Sequence, residues 1–200
     1  MKKIEELRTK NELMEFVSHT SKVKYLHFWG HTSKNNQVVS KTCFSQWFSS
    51  SFEIDKVSYP TTEHFMMAEK ARLFQSKSVV NEELVSKIIE ATHPQKAKQL
   101  GRQVEGFTND VWNKYRFDIV VRGNYAKFSQ NFDLAEFLIQ TEKRVLVEAS
   151  PVDNIWGIGL AQDHQDANNP FKWKGLNLLG FALMEVRERL KESRELELLR

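Results

Sequence analysis

From Pro60 to Gln140 the chain is written almost entirely in helix-length segments, each with its own start signal, and this restricts it to a mainly helical fold. Thr61 or Thr62 can cap a helix running through EHFMMAEKARLF, and Asn81 can cap a second, EELVSKIIEA. His93-Pro94 opens a third that stops near Gly101. Thr108 or Asn109 opens a longer one, from Asp110 to about Gln130, and residues 132–140 form a shorter one. Two more amphipathic stretches flank this block. Residues 2–17 space Ile4, Leu7, Leu13, Met14 and Phe16 as one helix would, and residues 176–197 put Leu179, Leu183, Val186 and Leu190 on one face. Strand signals are few and short: KYLHFW at 24–29, FEIDKVSY at 52–59 and RVLVEA at 144–149. The predicted class is therefore mainly α, an α+β chain with a small β element, joined by a polar loop at 31–43 and a Gly-, Asn- and Asp-rich one at 150–175.

Composition removes several classes of function. A length of 200 residues suits one well-cored domain, and 40% hydrophobic with 28% charged residues is ordinary for a globular protein. The net charge of +3 is mild and the charges are interspersed, so nothing marks a nucleic-acid binder, although one or two phosphates could still be recognised. The single cysteine, Cys43, stands among Phe44, Trp47 and Phe48 without an activating neighbour and reads as an inert thiol. MKKIEELRTKNELMEF lacks the apolar core of a secretory signal, no stretch is long and apolar enough to span a membrane, and a cytoplasmic protein is expected. The six histidines show no HExxH or comparable spacing, and no P-loop, GxGxxG or GxSxG occurs, so neither metal nor organic cofactor is expected.

Three groups of residues could carry chemistry. Glu63 and Lys70 are seven apart on one predicted helix and so share a face, with Glu63 in the first turn, where the helix dipole favours a carboxylate. The same spacing also fits two solvated residues. In the loop PVDNIWGIG, Asp153 precedes Trp156, and Gly157 and Gly159 allow close backbone approach, so the tryptophan could stack on a base or ribose, or plug the core. Arg102, Trp112 and Lys127 are isolated cations and an aromatic; alone, the cations read as surface residues or as phosphate ligands.

Taken in order, these segments resemble the NADAR (YbiA-like) family. YPTTEHFMMAEKA (59–71) is similar to its aromatic-Pro-Thr-Ser/Thr-Glu-His run followed by Ala-x-Lys. Phe28-Trp29, AKQLGR (97–102), Trp112, AKFSQN (126–131), VEASPVDNIWGIG (147–159) and GLNLLGFALMEVRERL (175–190) resemble its remaining motifs, the last carrying Asn177. Gln46 stands where the pattern expects Asn, Met66-Met67 replace an aromatic and a polar residue, and the 160–174 loop with Trp173 is longer than in compact members. The resemblance covers about residues 25–190, leaving 1–24 as an N-terminal helical extension and 191–200 as the end of the last helix.

The resemblance implies hydrolysis of an N-glycosidic bond at ribose C1, on either an early phosphoribosyl intermediate of riboflavin synthesis or ADP-ribose attached to guanine in nucleic acid. Glu63 and Asp153 are then candidates to stabilise a cation-like ribosyl transition state or to activate water. Lys70 is a candidate Schiff-base nucleophile, provided that Met66, Met67 and Phe74 bury it. Phe28, Trp29, Arg102, Trp112, Lys127, Trp156, Gly157 and Asn177 are expected around the substrate, with tryptophans holding the base and cations the phosphate. The rival class, a non-catalytic ADP-ribose or nucleotide reader, would keep Trp156, Gly157 and the cations but needs no Glu63–Lys70 pair.

Overall fold

The computed structural model describes residues 2–20, 22–32, 38–74 and 80–198. Among these the chain is mainly α, as expected, and the β structure is limited to two two-stranded sheets. It divides into two compact units, one formed by residues 1–45 with 132–200 and the other by 46–131.

The first unit is built on a parallel pair. β1 (Tyr25–Phe28) runs beside β4 (Val145–Glu148) in the register Tyr25↔Val145 to Phe28↔Glu148. Val145, Leu146 and Val147 are fully buried, the unbroken apolar run that a parallel strand covered on both faces requires. α7 (Leu178–Leu198) packs on β4, and Gly180 lets it do so: a Cβ there would collide with the Leu146 carbonyl oxygen. Arg187, wholly buried on α7, donates to the Thr141 hydroxyl at 2.8 Å and the Arg144 carbonyl at 2.9 Å, tying the helix to the turn before β4. α6 (Phe132–Ile139) also packs on α7.

The single helix expected over 2–17 is broken. Ile4–Glu6 forms one 3-10 turn, and α1 (Lys10–His19) starts afresh because Thr9 and Glu12 form a reciprocal capping box. The apolar spacing ran straight through this stop, which was written in Thr9-x-x-Glu12 instead.

Asn177 governs the entry to α7. It sits at a φ of +56°, its Oδ1 accepts from the Glu148 N–H at 2.9 Å, and its Nδ2 donates to the Leu146 carbonyl at 2.9 Å. Asn177→Ala should lower the unfolding free energy by about 2–4 kcal/mol, because two buried backbone groups lose their partner and alanine is strained at positive φ. Urea denaturation measures this; an unchanged midpoint at constant m-value would show that the clamp contributes nothing.

The second unit is a helical cluster with a hairpin. Instead of one strand over 52–59, β2 (Phe52–Ile54) and β3 (Val57–Tyr59) pair antiparallel, with Phe52 opposite Tyr59 and their rings stacked at 5.8 Å. Asp55 and Lys56 turn the chain at φ values of +52° and +65°, a geometry usually given by Asn-Gly and so not signalled here. α2 (Thr62–Leu73) packs against α3 (Val80–Ile89), α4 (Pro94–Gly101) and α5 (Asn109–Ser129). Thr61 caps α2 by accepting from the His64 N–H, and Pro94 opens α4 as expected. Asn81 does not act as the expected cap: it lies within α3, and its buried side chain bonds the Phe74 carbonyl and both backbone groups of Glu105. Two glycines set the helix spacing, since a Cβ on Gly101 would strike Met67 and one on Gly123 would come within 2.5 Å of the Phe65 ring.

Candidate active site

α2 is buried on several sides. Thr62, Glu63, His64, Phe65, Met66, Met67, Ala68 and Ala71 are all buried, so the polar residues among them need partners. The Gln46 main-chain carbonyl supplies two, accepting from the Glu63 N–H at 3.0 Å and the Thr62 hydroxyl at 3.1 Å. His64 Nε2 lies 2.9 Å from the Ala91 carbonyl, which can only accept, so Nε2 carries the proton and Nδ1 accepts from the Thr61 hydroxyl at 2.8 Å.

Burial lowers the His64 pKa below its ordinary value of 6.5, outweighing the opposite effect of the Ala91 bond. The unfolded chain therefore binds the proton more tightly than the folded one. The stability contributed by neutral His64 is fully present above pH 6.5 and is lost as the pH falls through the depressed pKa. His64→Gln should flatten the acid limb of a plot of unfolding free energy against pH; an unaltered limb would assign it to other groups.

The sequence placed Glu63 and Lys70 on one face, and the structure adds what surrounds them. Glu63 is 3% exposed, so it is not a solvated first-turn carboxylate. Lys70 is half-buried; its Nζ donates to the Gly101 carbonyl at 2.8 Å and lies 4.2 Å from the Phe107 ring centroid and 5.9 Å from that of Trp112. The aromatic walls are thus Phe107 and Trp112, with Phe74 behind Phe107 at 5.6 Å, where Met66, Met67 and Phe74 had been expected. Burial, then the positive charge of Arg102, lower the Lys70 pKa, while Glu63 pulls it back up. Glu63, Lys70, Arg102 and Trp112 therefore form one cluster. Phe107 escaped notice in the sequence, where only its place beside Gly106 in an interhelical loop marks it.

Lys127 is not on the surface either. It is fully buried on α5, with Nζ 5.3 Å from the Phe48 ring centroid and 5.2 Å from that of Phe128. An open groove of about 390 Å³ in the same unit is lined by Glu69, Arg72, Leu73, Tyr115, Asp118, Ile119 and Arg122, none of them a candidate. Glu69 already pairs with both guanidinium groups there.

The other candidates belong to the first unit. Asp153 Oδ1 accepts from the Ile155 and Trp156 N–H groups, each at 2.8 Å, and so shapes its own loop. Gly157 is buried where a Cβ would come 2.8 Å from the Glu148 carbonyl, and Gly159 takes a φ of +68°. Trp156 is half-buried, between the two readings its sequence context allowed. Phe28 is fully buried against Phe44 at 5.4 Å between ring centroids, so of the early aromatic pair only Trp29, 58% exposed, reaches the surface. Asn177, expected near substrate, has both ends of its amide on the backbone as described above.

Comparison with known proteins agrees with this architecture. An N-glycosidase of Acanthamoeba polyphaga mimivirus is 44% identical over 82% of this chain and 95% of its own length. An N-glycosidase of Nostoc punctiforme is 32% identical over 74% of this chain and 85% of its own. The solution structure of E. coli YbiA superposes with a TM-score of 0.64 at 23% identity, covering 90% of this chain and 93% of that one, which establishes the shared fold. Residues 27–191 match the NADAR domain, and the chain belongs to that family.

Proposed function

We propose that this N-glycosidase hydrolyses the bond between C1 of a phosphorylated ribose and a nitrogenous base, the ribose phosphate standing alone or as part of ADP-ribose. The observation that carries this reading is the Lys70 amine, held over Phe107 and Trp112 and within reach of the charges of both Arg102 and Glu63. A lowered pKa increases the neutral fraction of the amine, the form that can attack carbon.

In this scheme the Lys70 nitrogen forms a bond to C1 as the C1–N bond to the base breaks. The base leaves with that electron pair and takes up a proton. The nitrogen, having given one proton to the base, gives its second to the ring oxygen as the sugar C1–O bond opens, and this leaves an imine to C1 and a free sugar hydroxyl. Water then adds to C1 and releases the free sugar and the amine, so the net reaction consumes one water. Glu63 stabilises the positive charge that develops at C1. Arg102 suits a phosphate oxygen, and Trp112 an aromatic base. No step calls for a metal or an organic cofactor.

Two incubations test the proposal: guanine-ADP-ribosylated DNA in one, the aminopyrimidine ribose phosphate in the other, with released base followed by chromatography. Base release from either, with a free ribose-phosphate end as co-product, is the expected result and identifies the base. Tight binding of both with no release would favour the non-catalytic reader.

A further inference from the structure

Gln46 holds a buried acceptor without an assigned use. The residue is 6% exposed, and its Nε2 donates to the Met66 sulfur at 3.3 Å. A thioether can only accept, so this contact orients the amide with Nε2 toward Met66. Its Oε1 is left with no hydrogen-bond partner among the described residues. A buried carbonyl in that state costs stability and is rare in folded proteins unless something outside the chain completes it.

The position of this side chain follows from its neighbours. Met66 is three residues after Glu63 and four before Lys70, so all three side chains leave α2 on one face. The Gln46 backbone also holds the Glu63 N–H. The amide is thereby fixed beside the stretch of helix between the carboxylate and the amine. A ribose whose C1 lies between Glu63 and Lys70 carries its nearest hydroxyl, on C2, one bond away.

We infer that the side-chain carbonyl of Gln46 accepts a hydrogen bond from the 2-hydroxyl of the bound ribose and so selects ribosyl over 2-deoxyribosyl substrates. The inference rests on the ribose-phosphate reading above. A hydroxyl donor suits the site because the carbonyl is acceptor-only and is already withdrawn from solvent in the folded protein. A sugar lacking the hydroxyl would leave it orphaned.

The test is calorimetric titration of ribose 5-phosphate and 2-deoxyribose 5-phosphate into the wild-type protein, Gln46→Met and Gln46→Asn. Methionine keeps the length of the side chain and removes its polar atoms. Asparagine keeps the carbonyl but draws it back by about 1.5 Å, the length of one carbon–carbon bond. The wild-type protein should bind the ribose about tenfold more tightly than the deoxyribose, and both variants should lose that preference while holding the deoxy sugar at the wild-type level. The inference is overturned if the wild-type protein shows no preference, if Gln46→Asn retains it, or if the variants weaken both sugars equally, which is the mark of a purely structural residue. Should Gln46→Met fail to fold, Gln46→Asn decides alone. A wild-type protein that binds neither sugar phosphate overturns the ribose-phosphate reading itself, and this inference with it.

Discussion

Glu63→Gln should lower turnover by about a hundredfold or more and leave the fold intact, because in the proposed mechanism the substitution removes the charge that stabilises a cation-like transition state and does so without changing size. Its environment makes the test a clean one. The side chain is 3% exposed at the start of α2, where its backbone N–H is already held by the Gln46 carbonyl, so the helix does not depend on the carboxylate for its start. A second readout separates chemistry from structure. Since Glu63 raises the Lys70 pKa, removing its charge should move the alkaline-rising limb of the residual rate to lower pH. Near-wild-type turnover in a folded Glu63→Gln protein would remove the residue from the mechanism.

The second large effect is expected at Lys70. Borohydride added during turnover should trap a sugar on this lysine, seen by mass spectrometry of the peptide containing Ala68 to Ala71, and Lys70→Arg should abolish both adduct and activity. Arginine keeps the positive charge but holds its proton at any working pH, so it can bind a phosphate or hydroxyl yet cannot form an imine. The surroundings act in both directions. Burial and Arg102 favour the neutral amine, whereas Glu63 and the faces of Phe107 and Trp112 favour the ammonium ion. The rate should accordingly rise with pH through a value below the 10.5 of an ordinary lysine. An active Lys70→Arg protein without an adduct would make Lys70 a ligand only, with Glu63 acting through water.

The helices of the second unit were legible because their signals are local. Thr61 and Pro94 act within one turn of themselves, and a backbone short of hydrogen-bond partners at its ends responds to them wherever it is placed. The shared face of Glu63 and Lys70 was legible for the same reason, as a consequence of helical pitch alone. What failed was also local, but written in an alphabet that apolar spacing does not register: the Thr9–Glu12 capping box that splits the first helix, and the positive-φ pair Asp55–Lys56 that folds one apparent strand into a hairpin.

The chemistry of each candidate depended on neighbours far away in the chain. Lys70 meets the Gly101 carbonyl, Phe107 and Trp112, 31 to 42 positions later, and burial together with the charge of Arg102 depresses its pKa. Lys127 is enclosed between Phe48 and Phe128, and Asn177 clamps the backbone of Leu146 and Glu148. Periodicity and capping are properties of a few consecutive residues, so the chain alone determined the helices and which residues share a face. Burial, pKa and hydrogen-bond completion are set by whatever packing brings near, and these only the tertiary structure decided.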